Sequence, residues 1–126
     1  MDAPDAVLEA NQAFYDAHEA RDLAAMADIW AHTDDVVCVH PGWPILRGWA
    51  MVEESWRRIF EGAGRNQFIL TNVSVAAAAG AAWVTLEENL VDRGSTHAMT
   101  ATNVFVEDGD GGWRIVAHHA GPVFGQ

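Results

Sequence analysis

No lysine occurs in this chain, and its seven basic residues, all arginine, face 18 acidic ones for a formal net charge of −11. A nucleic-acid partner requires a basic footprint, so that class is excluded. Binding to an anionic lipid surface is disfavoured on the same ground. The only cysteine, Cys38, has no second thiol for an intrachain disulfide, so nothing points to an oxidising compartment. The N-terminal residues lack the basic start and apolar stretch of a signal peptide, and no apolar run reaches membrane-spanning length. A cytoplasmic protein with neither nucleic-acid nor membrane partner is expected. Internal repeats, low-complexity stretches and interdomain linkers are also missing. Residues 1–126 therefore read as a single domain.

What is present supports a real core. Half of the 126 residues are apolar and six are tryptophan. Residues 5–20 and 22–31 read as two helices, with Asp22 as the N-cap of the second. Val7, Asn11, Phe14 and His18 share one face of the first helix. A short strand over 36–40 then runs into His40, Pro41, Gly42 and Trp43. There Pro41 and Pro44 withhold backbone donors and Gly42 frees a turn, which holds His40 and Trp43 at the wall of a cavity or the end of a core. Gly48 opens a third helix whose apolar stripe is Trp49, Val52, Trp56, Ile59 and Phe60, and Gly62, Ala63 and Gly64 end it. Glu53 with Arg57 and Glu54 with Arg58 are spaced for exposed ion pairs.

The second half changes period. Residues 67–79, 81–92, 96–107 and 113–122 read as four successive strands separated by hairpin signals at Gly80, at Arg93, Gly94 and Ser95, and over 108–112. Helices followed by an antiparallel meander make an α+β fold, with helices packed on one face of a strongly bent sheet and a cavity enclosed between them. Strand alternation assigns faces. In the last strand Trp113, Ile115, Ala117 and His119 share one side, which places His119 inward. Asn103 shares a face with Met99, Ala101 and Phe105. Trp83, Thr85, Glu87 and Asn89 oppose Val84, Leu86, Glu88 and Leu90, and neither set is cleanly the core. A sheet apolar on both sides would cover the cavity with one face and meet a second subunit with the other, so a homodimer is expected.

The order helix, helix, strand, His40-to-Trp43 turn, Arg47 and Gly48, helix ending in Trp56 to Phe60, then a meander closing with Thr102 to Phe105 and Trp113 to His119 resembles the SnoaL-like branch of the NTF2-like superfamily. That superfamily also holds ketosteroid isomerases, scytalone dehydratase and kinase-association domains. The resemblance covers nearly the whole chain. It implies an NTF2-like cone, usually dimeric, and a function among isomerases, dehydratases, cyclases and association modules. His119 matches the family's frequent cavity histidine, and Asn103 the polar residue of the penultimate strand. The ketosteroid isomerase set of carboxylate base, Tyr and protonated Asp is not matched: the only tyrosine, Tyr15, lies on the first helix without assignable acidic partners.

The remaining polar residues suit general acid-base work on a small hydrophobic ligand. His119 and His40 are the candidate proton-transfer groups. Glu87 is a base or the orienter of a histidine if it points inward, and Asn103 is a donor to a developing oxyanion. Tyr15, Trp30, Trp43, Trp56, Trp83 and Phe105 are expected to shape the pocket. His40, His119 and Glu87 would also compose a two-histidine, one-carboxylate metal set, but no metal-ligand spacing occurs and no cofactor is implied. His32 and His97 lie near segment ends and read as solvated. Two function classes stay open: a cofactor-independent isomerase or lyase, and a non-catalytic ligand-binding or association module.

Overall fold

The computed structural model describes residues 2–62, 67–92 and 94–124. Helix α1, Ala3–Ala20, begins two residues before the predicted start, because Asp2 caps it by accepting from the Asp5 N–H at 3.0 Å and Pro4 fits its first turn. Asp22 caps α2, Leu23–Ile29, as expected. This helix stops before Ala31 because Trp30 turns extended and bridges in parallel to Ile115. Between the two helices Arg21 takes a left-handed conformation, φ 56°, and its guanidinium donates to the carbonyls of Ile59, Phe60 and Gly62. The C-terminal end of the third helix is thereby tied to the turn between the first two.

Strand β1, Val37–Val39, pairs with the two-residue β2, Leu46–Arg47, across the Pro41–Pro44 turn. Gly48 sits at φ 87°, a conformation that disfavours any Cβ, and its N–H donates to Val36 O at 2.9 Å. Helix α3, Trp49–Glu61, follows directly and is capped by Gly62; the other two residues of the expected stop, Ala63 and Gly64, lie outside the described residues. The ion pair on α3 differs from expectation: Arg57 pairs with Glu54 at 3.2 Å, one turn back at i,i+3, and not with Glu53.

Four long strands complete the sheet: β3 Gln67–Ala78, β4 Ala81–Asp92, β5 Ser95–Glu107 and β6 Trp113–Pro122. The order is β2-β1-β6-β5-β4-β3, with β1 parallel to β6 and every other pair antiparallel. The expected α+β cone is the architecture found. Ala79 and Gly80, at φ 50° and 83°, make the tight β3–β4 turn, and in the β4–β5 turn Gly94 is at φ 82° while Arg93 lies outside the described residues.

Two bulges bend the sheet. In β3 the pairing steps from Thr71 opposite Glu87 to Ser74 opposite Thr85, with Asn72 at φ 53°. In β6 it steps from Ile115 opposite Phe105 to Ala117 opposite Val104, which leaves Val116 as an extra residue. The concave side packs on α1, α2 and α3 around Val7, Phe14, Met26, Trp30, Trp56 and Ile115. Beyond β6, Val123 still donates to Ala98 O at 3.1 Å and Phe124 is 85% exposed; Gly125 and Gln126 lie outside the described residues.

Candidate functional site

One cavity opens between the concave sheet face and the helices. Its volume is about 220 Å³, and its polar lining is His18, His40, Glu88 and His118. Trp43, Phe68, Ile59, Leu90 and Met99 supply the apolar remainder with Pro41. Each polar group comes from a different element: His18 from the inner stripe of α1, His40 from the break after β1, Glu88 from β4 and His118 from β6. Pro41 ends β1 just as His40 reaches the cavity wall, and the Trp43 N–H closes the turn on His40 O at 2.9 Å.

The bulge at Val116 corrects the expected face of the last strand. Regular alternation places His119 inward with Ile115. The extra residue shifts the phase, so Ile115, His118 and Ala120 are buried and His119 is exposed on the convex side. Glu87 is likewise on the convex side, where Thr71 Oγ1 donates to it at 2.9 Å. Its neighbour Glu88 is the buried carboxylate, continuing the inward set Ala82, Val84 and Leu86. That aliphatic series was a readable signal for Glu88; no residue in the sequence marks the bulge that turns His118 inward.

The predicted aromatic wall also divides. Trp43 lines the cavity. Trp56 stands behind the lining, with its ring centroid 4.7 Å from that of His40 and 5.0 Å from that of His18. Tyr15 is buried at the far side of Glu88. Trp30 and Phe105 are core residues outside the lining, and Trp83 is 42% exposed on the convex face. Phe68, which the sequence reading did not single out, stacks edge-on to His18 at 4.7 Å. His32 is exposed and stacks flat on Trp49 at 4.4 Å, and His97 is exposed.

A buried chain of hydrogen bonds joins three of the strands' polar groups to α1. Tyr15 Oη lies 2.5 Å from Glu88 Oε2. Asn103 Nδ2 donates to Tyr15 Oη at 3.2 Å and to Asn11 Oδ1 at 2.9 Å. His118 Nδ1 meets Asn103 Oδ1 at 2.6 Å. A second, shorter network holds His40, whose Nε2 is 2.8 Å from Ser55 Oγ, while Ser55 Oγ donates to Val52 O at 2.6 Å. Three further buried nitrogens, His18 Nδ1, Trp30 Nε1 and Trp56 Nε1, have no protein partner among the described residues and belong to neither network.

Burial dominates the electrostatics. It pushes the His18 and His40 imidazoles down to about 4, with a smaller contribution from Arg21 on His18 and from His18 on His40. His118 is held well below the usual histidine range by burial first and then by His40. Burial raises Glu88 against the opposing bond from Tyr15, and burial followed by the Glu88 charge raises the Tyr15 phenol. Neutral imidazoles thus line one cavity with a carboxyl group whose proton burial holds more firmly than water does. Among the described residues no three His, Cys, Asp or Glu side chains are grouped to hold a metal ion.

Known proteins extend the comparison. The family model of the SnoaL-like domain matches residues 7–124. A crystal structure from Streptomyces avermitilis, provisionally described as a dehydratase of the NTF2-like family, superposes with a TM-score of 0.88 at 36% identity, covering 97% of this chain and 96% of that one. A Thiobacillus denitrificans structure, provisionally described as a calcium/calmodulin-dependent protein kinase type II association domain, gives 0.83 at 38% identity over 90% and 92% of the two chains. Among curated proteins, the F-box protein SKIP8 of Arabidopsis thaliana is 33% identical over 116 residues, 91% of this chain; the chain spans 48% of that relative's length.

Proposed function

The chain belongs to the SnoaL-like domain family, and from that premise we propose that its cavity binds a small hydrophobic molecule and moves a proton on it, in an isomerase- or dehydratase-type reaction that needs no cofactor. The observation that carries this reading is the cavity of about 220 Å³ in which His40, His118 and Glu88 converge among aromatic side chains. A neutral imidazole can accept a proton from a bound ligand, and Glu88 orients the His118 ring through Tyr15 and Asn103. His118 takes the role that strand alternation assigned to His119, and Glu88 the role assigned to Glu87. Asn103 supports the site from behind through His118. The S. avermitilis relative, provisionally a dehydratase, is consistent with this chemistry.

A thermal-shift screen with single-ring carbonyl and hydroxyl compounds tests it. At about 100-fold excess over the dissociation constant a bound ligand adds roughly 2.7 kcal/mol of stability. The shift is expected to vanish in His118→Ala and Trp43→Ala, with both variants folded, and to persist in His119→Ala. A hit that survives both of the first two variants would place the ligand elsewhere and end this reading.

The convex face favours a second role, assembly. Trp83 is 42% exposed, and strand register sets it beside Val104, whose own β6 neighbour is Ala117. The likeness to a provisional association domain supports assembly, and a second copy of this chain fits a face apolar at its centre. Trp83→Glu is expected to halve the mass seen in sedimentation without lowering the melting temperature of the fold itself. An unchanged mass would remove this face from the interface.

A further inference from the structure

The two hydrogen-bond networks have a direction, and it dictates what the cavity offers a ligand. Tyr15 has one proton, which it donates to Glu88 Oε2 at 2.5 Å. The phenol oxygen must then accept, and Asn103 Nδ2 supplies that bond. With its amide nitrogen turned to Tyr15 and Asn11, Asn103 presents its oxygen to His118, which can satisfy it only with Nδ1–H. His118 Nε2 is left as a lone pair with no protein partner among the described residues, on a ring that lines the cavity. His40 is fixed independently in the same sense. The Ser55 hydroxyl proton is spent on Val52 O, so its oxygen accepts from His40 Nε2–H, and the Nδ1 lone pair lies 3.9 Å from Cys38 Sγ. Neither of these two rings has an N–H to spare for a ligand; only the third imidazole, His18, whose tautomer no hydrogen bond among the described residues fixes, keeps one.

Size and charge narrow the occupant further. A dry cavity of about 150 Å³ holds benzene, so about 220 Å³ takes one ring with small substituents and not a fused polycycle. An anion would need an imidazolium beside it, which burial opposes at all three histidines. A cation would need the full charge of Glu88, which burial opposes, and would share that carboxyl with the Tyr15 hydroxyl.

We propose that this cavity takes an uncharged single-ring compound bearing a hydroxyl group, whose O–H is accepted by His118 Nε2. The inference rests on the reading that the cavity binds a small molecule, and it places Glu88, Tyr15 and Asn103 as positioning residues that act through His118.

Four probes of similar size test it at pH 7.5 by calorimetry: phenol, benzonitrile, which only accepts, benzoate and benzylamine. Phenol is expected to bind about tenfold more tightly than benzonitrile, since an acceptor facing a buried lone pair leaves both unpaired, and more tightly than either charged probe. The preference should disappear in His118→Leu. In the unliganded wild type, long-range ¹H–¹⁵N spectra should show His118 with a protonated Nδ1 and a bare Nε2, a readout that does not depend on the variant folding. Tighter binding of benzonitrile, benzoate or benzylamine, or a protonated Nε2 in the free protein, would overturn the proposal while leaving a small-molecule cavity in place. Binding by none of the four would overturn the cavity reading itself, and the ligand class with it.

Discussion

Between pH 7 and pH 5 the protein is expected to lose roughly 4 kcal/mol of stability through His18 and His40 alone. Their folded-state pKa values are near 4, against 6.5 for the free side chain. In that window the unfolded chain takes up protons that the folded chain refuses, so stability falls as pH falls, starting near 6.5 and ending only near 4. Each histidine contributes roughly 2 kcal/mol by pH 5, from about 1.4 kcal/mol per pH unit below 6.5. His118, shifted in the same direction, deepens the loss. Glu88 works against it: its folded pKa is raised, so below that value the folded carboxyl holds a proton that the unfolded one has released, and acidification favours the native state. One opposing carboxyl does not cancel three histidines. Because domains hold only about 5–15 kcal/mol in total, melting followed by circular dichroism at dilute concentration should show a large drop in Tm from pH 7 to pH 5. A flat or rising Tm across that interval would mean the imidazoles are solvated and the cavity wet.

Asn103→Ala is expected to be the most damaging single truncation at the site. Asn103 is fully buried and serves Asn11, Tyr15 and His118 at once. Removing its amide strands the Asn11 oxygen and the His118 Nδ1–H in the buried interior and takes one bond from the Tyr15 oxygen. At about 1–3 kcal/mol for each orphaned group, the total is roughly 3–5 kcal/mol. Urea unfolding would read this as a lower midpoint at unchanged slope. A cost below about 1 kcal/mol would show that the chain from Glu88 to His118 is loose or water-bridged and does not fix the His118 tautomer.

Most of the fold was legible. Helices declared themselves through the spacing of Val7, Phe14 and Trp56, strands through alternation, and turns through Gly80, Gly94 and Pro41. Of the candidate site, His40, Trp43 and Asn103 were legible for local reasons: a proline after the strand, a turn, and a polar residue in an otherwise apolar set. Glu88 was legible from Val84 and Leu86, which share its strand face, whereas Glu87 lies on the opposite one. His118 was not legible, because strand parity holds only while the ladder is regular, and Val116 breaks it.

The sequence by itself determined the elements, their order, the acidic and lysine-free surface, and the family, because each depends on composition or on residues close along the chain. Only the tertiary structure decided which of two adjacent histidines faces the cavity. That choice depends on the pairing of β6 with β5. Pairing register is a contact between distant segments, and one extra residue in it turns every later side chain to the opposite face.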